Sequence, residues 1–100
     1  GVNVFPNAIR DVALKKPDLL TGNIQVLKYS DSPVIEPPLK VNVECKGKPS
    51  EEDKMKIKQL FEADIQRLLR FRCEAILKNE KETEMEYGAT GKAKLIKKMY

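Results

Sequence analysis

The chain has 100 residues, of which 41% are hydrophobic and 34% charged, and a formal net charge of +4. That describes one small soluble globular domain, able to bury roughly two-thirds of the surface its unfolded chain exposes. No apolar run is long enough to span a membrane, and the absence of histidine excludes Ser–His and Cys–His nucleophile systems.

The opening, Gly1-Val2-Asn3-Val4-Phe5-Pro6, has no basic region followed by a long apolar core, so it is not a secretion signal. It lacks an initiator methionine, which reads as a fragment of a longer protein or a tag scar. Residues 2–5 alternate briefly and predict a short strand ended by Pro6. Ala8, Ile9, Val12 and Ala13 then recur at helical spacing, and Pro17 stops that helix after about two to three turns. Residues 18–22 read as a loop. The Ile, Val and Tyr content of residues 23–29 predicts a second strand. Three prolines between residues 30 and 38 predict another loop.

Residues 39–45 show the cleanest alternation in the chain. Leu39, Val41, Val43 and Cys45 point one way, and Lys40, Asn42 and Glu44 point to an open polar face, as in a half-buried antiparallel strand. With residues 23–29 this strand makes a hairpin. After the break at Gly47-Lys48-Pro49, Ser50 caps a long helix over residues 51–70, with Glu51, Glu52 and Asp53 at its positive end. Ile57, Leu60, Phe61, Ile65, Leu68 and Leu69 form its core stripe. Residues 72–77 predict a fourth strand and residues 79–86 an exposed charged stretch. Residues 85–87 add a short extended piece before a glycine-rich loop, and the chain ends in a basic tail. The order strand, helix, strand, strand, helix, strand predicts a ferredoxin-like βαββαβ α+β sandwich. Its sheet would be antiparallel, with both helices on one face.

Cys45 and Cys73 lack metal-ligand spacing and are read as buried free thiols of a cytosolic protein rather than a disulfide. No residues form a metal cluster. The positive charges are interleaved with acids except in the last dozen residues, so the net charge is weak support for nucleic-acid binding. The third strand presents no aromatic residue on which an RNA base could stack. Gly91-Lys92 near the end places a cation on a glycine-bearing loop, where three N–H donors suit a phosphate or a carboxylate. Locally, that is equally a solvated loop with a surface lysine.

Both ends together are more specific. "GVNVFP" at residues 1–6, followed by Ala8-Ile9 and Asp11-Val12, resembles the start of the C-terminal domain of phenylacetate–coenzyme A ligases, in the adenylate-forming superfamily. "TGKAKLI" at residues 90–96 resembles that family's closing lysine motif, and Asn23-Ile24-Gln25-Val26 its strand after the first helix. The resemblance covers essentially the whole chain. It departs at Arg10, at residues 86–89 and at Pro37-Pro38.

The resemblance implies that residues 1–100 are a mobile C-terminal domain acting with its own N-terminal adenylation domain. The two would convert a small aryl carboxylic acid to an acyl-adenylate and then to a thioester, using ATP, magnesium and coenzyme A. By resemblance Lys92 is the adenylation lysine, and Gly91 belongs to the loop that carries it. Gly1, Val2 and Asn3 lie on the pantetheine side. A cytoplasmic protein is implied, with no membrane or nucleic-acid partner and homodimerisation left open, and the domain alone would be inactive. The competing reading is a free-standing ferredoxin-like regulatory or RNA-binding module.

Overall fold

In the computed structural model every residue is described except Gly1, Val4, Pro33, residues 86–90 and Lys92; of Val2 and Asn3 only the backbone is described. The strictly alternating strand lies inside the sheet. β4 (Leu39–Cys45) buries Leu39, Val41, Val43 and Cys45 on one face, as its pleat requires. It pairs antiparallel with β2 (Leu20–Lys28), in register Ile24↔Val43, Gln25↔Asn42 and Val26↔Val41. This is the expected hairpin. β2 starts earlier than the sequence suggests, within the stretch read as a loop, and its register shifts between Leu20 and Ile24. Gly22 lies in that irregularity at φ +93°, where a side chain would be strained.

Two helices cover one face of the hairpin. α1 (Pro6–Leu14) carries proline in its first turn, where a missing N–H has no helical partner to lose. α2 (Glu51–Leu69) begins as predicted, with Ser50 Oγ accepting the Asp53 N–H at 3.1 Å. It ends at Arg70, which takes a left-handed conformation at φ 66°. Ile9, Val12 and Ala13 of α1 and Ile57, Phe61 and Ile65 of α2 meet the inward residues of β2 and β4 in one core. Two members expected in the α2 stripe stand outside it. Leu60 is 48% exposed and Leu68 39%. Leu60 lies about 100° around the helix from Phe61, and Leu68 falls in the last turn.

The α+β class, with two helices on one face of a four-stranded sheet, holds. Strand membership and direction differ in detail. The order is β5-β4-β2-β6, with β5 (Cys73–Lys78) parallel to β4 and β6 (Ile96–Lys98) parallel to β2. The sheet is therefore mixed rather than antiparallel throughout. α2 is the reason on one side: a 19-residue helix returns the chain to the end where β4 began, a parallel crossover. The opening strand is not in this sheet. β1 (Val2–Asn3) pairs with β3 (Val34–Ile35), inside the expected proline loop, as a separate two-stranded ribbon. The fourth strand of the sheet is instead β6, from the basic tail, at the edge beside β2. Met85 lies in no strand, and the rest of the extended piece expected at 85–87 lies outside the described residues.

The outer edge of β5 is covered by α2. Glu62 Oε2 accepts the Ala75 N–H at 2.8 Å, Lys58 Nζ donates to the Ala75 carbonyl at 3.1 Å, and Lys58 and Glu62 pair with each other. Side chains thus occupy backbone groups that another strand would otherwise seek.

The second sheet face is not open. Lys40 is exposed as expected, but Asn42 is 8% exposed and Glu44 3%. Glu44 accepts from Thr21 Oγ1 at 2.8 Å and Asn23 Nδ2 at 3.0 Å. The segment after β5 reaches this face through Glu84, whose carbonyl accepts from Gln25 Nε2 at 2.7 Å. The same segment is pinned to the turn after β4: Glu80 N–H donates to Gly47 O at 2.9 Å, and Gly47 N–H to Glu80 Oε1 at 2.8 Å.

A charged tether joins the helices. Lys16, just beyond α1, contacts Asp64 at 3.1 Å, and Arg67 contacts the same carboxylate at 3.1 Å. Burial opposes the Asp64 charge, but the hydrogen bonds and charges of Lys16 and Arg67 outweigh it and hold its carboxyl below the ordinary 3.8. A folded value below the unfolded one stabilises the fold above the unfolded value, and the gain is lost as pH falls through the folded value. Asp64→Asn is expected to cost about 1 kcal/mol at neutral pH, lowering Tm by about 4–8 °C. The gap should close as pH falls below the ordinary carboxylate value and through the lowered folded one. Thermal melts across a pH series measure both effects.

Candidate functional site

Two clefts open at the carboxyl end of β2, and Lys28, its last residue, lines both. The parallel strands β2 and β6 finish side by side, with Lys28 in register with Lys98 and Met99 N–H donating to the Lys28 carbonyl at 2.7 Å. Carboxyl ends of parallel strands are where α/β sheets commonly receive ligands.

The first cleft, of about 600 Å³, is walled by Pro6 and Asn7 on one side and by Ala93, Lys94, Leu95, Ile96, Lys98 and Lys28 on the other. Among the described residues, three lysines line it and no acidic residue does. Such a wall raises the local concentration of anions. Pro6 closes the opening motif and Ala93 and Lys94 belong to the closing one, so the two ends singled out in the sequence meet here.

The second cleft, of about 590 Å³, lies between the end of β2 and the segment leading into β4. Lys28, Tyr29, Ser30, Ser32, Glu36 and Lys40 give it a polar side carrying both signs of charge, with Val34, Ile35, Leu27 and Leu39 as its apolar side. Lys40 Nζ sits 5.7 Å from the Tyr29 ring centroid, within cation–π range. β1 pairs with the same Val34 and Ile35, which places the backbones of Val2 and Asn3 beside this second cleft.

Of the predicted site residues, Gly91 is exposed at φ +79°, and a β-carbon there would touch nothing. What glycine supplies is therefore the backbone conformation, not clearance. Val2 and Asn3 are placed by their backbones, while Gly1 and Lys92 lie outside the described residues. Lys28, Lys40, Tyr29 and Lys98 were not legible as site residues. The signal for Lys28 and Lys98 is positional: each ends a strand, and only the parallel pairing sets the two ends together.

The cysteines do not serve as nucleophiles. Both are free. Burial pushes the Cys45 thiol up, and burial, followed by the nearby Glu62 charge, pushes Cys73 up to about 12. Each is a protonated thiol at neutral pH, and the thiolate is the reactive form.

No protein-family model and no curated protein matches the chain by sequence. Among solved structures it is similar to 2-hydroxyisobutyryl-CoA ligase, determined in the postadenylation state in complex with R3-HIB-AMP. The TM-score is 0.69 over 95% of this chain, at 16% sequence identity. At that identity the likeness is one of fold. The chain spans 19% of the ligase's length, so it has the architecture of one part of an acyl-CoA ligase.

Proposed function

We propose that this chain is the C-terminal domain of an adenylate-forming acid–coenzyme A ligase whose acid is an aryl acid of the phenylacetate class. The observation that carries this reading is the lysine-walled cleft where Pro6 and Asn7 face Ala93 and Lys94. Its support is the fold shared with a CoA ligase. In the reaction, a carboxylate attacks the α-phosphate of ATP and pyrophosphate leaves. The sulfur of coenzyme A then attacks the acyl carbon and AMP leaves. Lys92 supplies positive charge where two anions must approach in the first step. A lysine carried by a small domain can serve that step and be withdrawn for the second.

The lysine wall suits phosphate or carboxylate groups. Among the described residues no cluster of three or more acidic or thiol side chains could hold a metal. Magnesium, whose part would be to offset phosphate charge, is assigned to the adenylate-binding domain by the family resemblance. The acid and the adenine are assigned to that domain as well.

The module reading finds no comparable observation. An RNA-recognition sheet works through an open aromatic face, whereas here Gln25, Asn42 and Glu44 are buried on the second face. Acid-dependent exchange of labelled pyrophosphate into ATP tests the proposal, using the protein that carries this domain with its adenylate-binding domain. Exchange with phenylacetate-type acids is the expected result. Exchange with aliphatic acids alone would remove the aryl assignment, and no exchange with any acid would remove the ligase.

A further inference from the structure

Two adjacent residues of β2 hold both stems of the segment that contains Lys92. The Gln25 side chain donates to the Glu84 carbonyl at 2.7 Å, and the Val26 N–H donates to the Leu95 carbonyl at 2.7 Å. Consecutive α-carbons lie about 3.8 Å apart, so residues 84 and 95 are tied to neighbouring points on a sheet strand. The second bond is ordinary strand pairing at the entrance to β6. The first depends on one side chain.

That side chain is itself oriented. Asn42 Nδ2 donates to Gln25 Oε1 at 3.2 Å, across the β2–β4 pairing in which the two residues are direct partners. The amide assignment follows from the chemistry at the far end. A carbonyl only accepts, so Gln25 must turn its NH₂ to Glu84 and its oxygen to Asn42, which must answer with its own NH₂. Both amides are buried, Gln25 at 3% exposure and Asn42 at 8%. Two apolar residues could fill the same sites without the penalty of burying amides, and such exchanges are often neutral for stability. A hydrogen-bonded pair adds direction that apolar packing lacks.

We infer that the Gln25–Asn42 pair is a positioning device, setting where the chain leaves the sheet at Glu84 and so tuning adenylation through the segment whose sequence carries Lys92. This rests on the ligase reading for its catalytic consequence, though not for its structural one. Gln25 touches no reactant; it acts through the chain between Glu84 and Lys92.

The test is the double variant Gln25→Met/Asn42→Leu in the complete two-domain protein, which removes both amides and leaves neither unpaired. Two quantities are read: amide hydrogen exchange over residues 80–95, and the rates of the two half-reactions. Loss of one buried hydrogen bond corresponds to about a tenfold change. Exchange in the segment should quicken by about that factor, with β2 and β4 unchanged. The kcat for adenylation should fall by about the same factor, with KM for ATP and acid unchanged and thioester formation from a supplied adenylate unaffected. Asn42→Ala keeps the Gln25 donor but removes its orienting partner. It provides the same test with less disturbance of the core, with an expected effect of about threefold.

A folded variant with unchanged exchange overturns the device. Faster exchange with unchanged adenylation overturns its positioning role. If Lys92→Ala also leaves adenylation intact, the ligase assignment is what fails, and the exchange result judges the pair by itself.

Discussion

Lys92→Ala is expected to slow acyl-adenylate formation by about 10²–10³-fold while leaving thioester formation from a preformed adenylate within about twofold of the parent. The first half-reaction brings a carboxylate against a phosphate, and a cation aimed at the charge developing between them acts mainly in the transition state. The second begins from a neutral acyl centre whose negative charge resides on the departing AMP, so it draws less on that cation. Single-turnover assays of each step, started from ATP and acid or from synthetic adenylate, separate the two. Lys92→Arg should recover only part of the loss, because a planar guanidinium does not reproduce a compact ammonium. Acetylation of Lys92 should act as the alanine does, since it removes the charge. Equal losses in both half-reactions would end the assignment.

How much of this was legible in the sequence depended on how local each signal was. The alternation of Leu39, Val41, Val43 and Cys45 is written in seven consecutive residues, and the strand forms as read. Ser50 and the acids after it announce α2 within four residues, and the cap forms. β6 has no such signature. Ile96-Lys97-Lys98 is short and basic, and becomes a strand only because β2 offers an edge 70 positions earlier in the chain, as the register Val26↔Ile96 to Lys28↔Lys98 shows. Asn42 and Glu44 read as solvent-facing because alternate polar residues usually are. Their burial depends on Thr21, Asn23 and Gln25 of the neighbouring strand and on the chain near Glu84, all remote in sequence.

The same division runs through the candidate site. The motifs at the two ends are local strings, so they could be recognised before any fold was known. What brings Pro6 and Asn7 to Ala93 and Lys94 is the parallel placement of β6 beside β2. The expected first strand at the opening motif would have put that motif inside the sheet. Its displacement into the β1–β3 ribbon instead leaves it beside the clefts, where it can meet the closing motif. The error about strand membership and the convergence of the two ends therefore have one cause.

Phe61→Ala is expected to destabilise the chain by about 3–5 kcal/mol, and Leu60→Ala, one residue away, by no more than about 0.5 kcal/mol. By sequence both belong to one apolar stripe. In the structure Phe61 is 0% exposed and heads the largest fully buried side chains, whereas Leu60 is 48% exposed on the flank of α2. Removing the phenyl ring leaves a cavity among residues of both helices and the sheet, and such a core relaxes only partly. Removing the Leu60 side chain leaves a surface that water already reaches, and alanine is at least as good a helix former. A chain of this length holds about 5–15 kcal/mol in total, so the Phe61 variant should retain only a small margin. Urea titrations compare the two directly, because a shift in midpoint at constant slope reports stability alone. A loss at Leu60 equal to that at Phe61 would mean that the flank of α2 is packed after all, and the placement of this helix on the sheet would have to be redrawn.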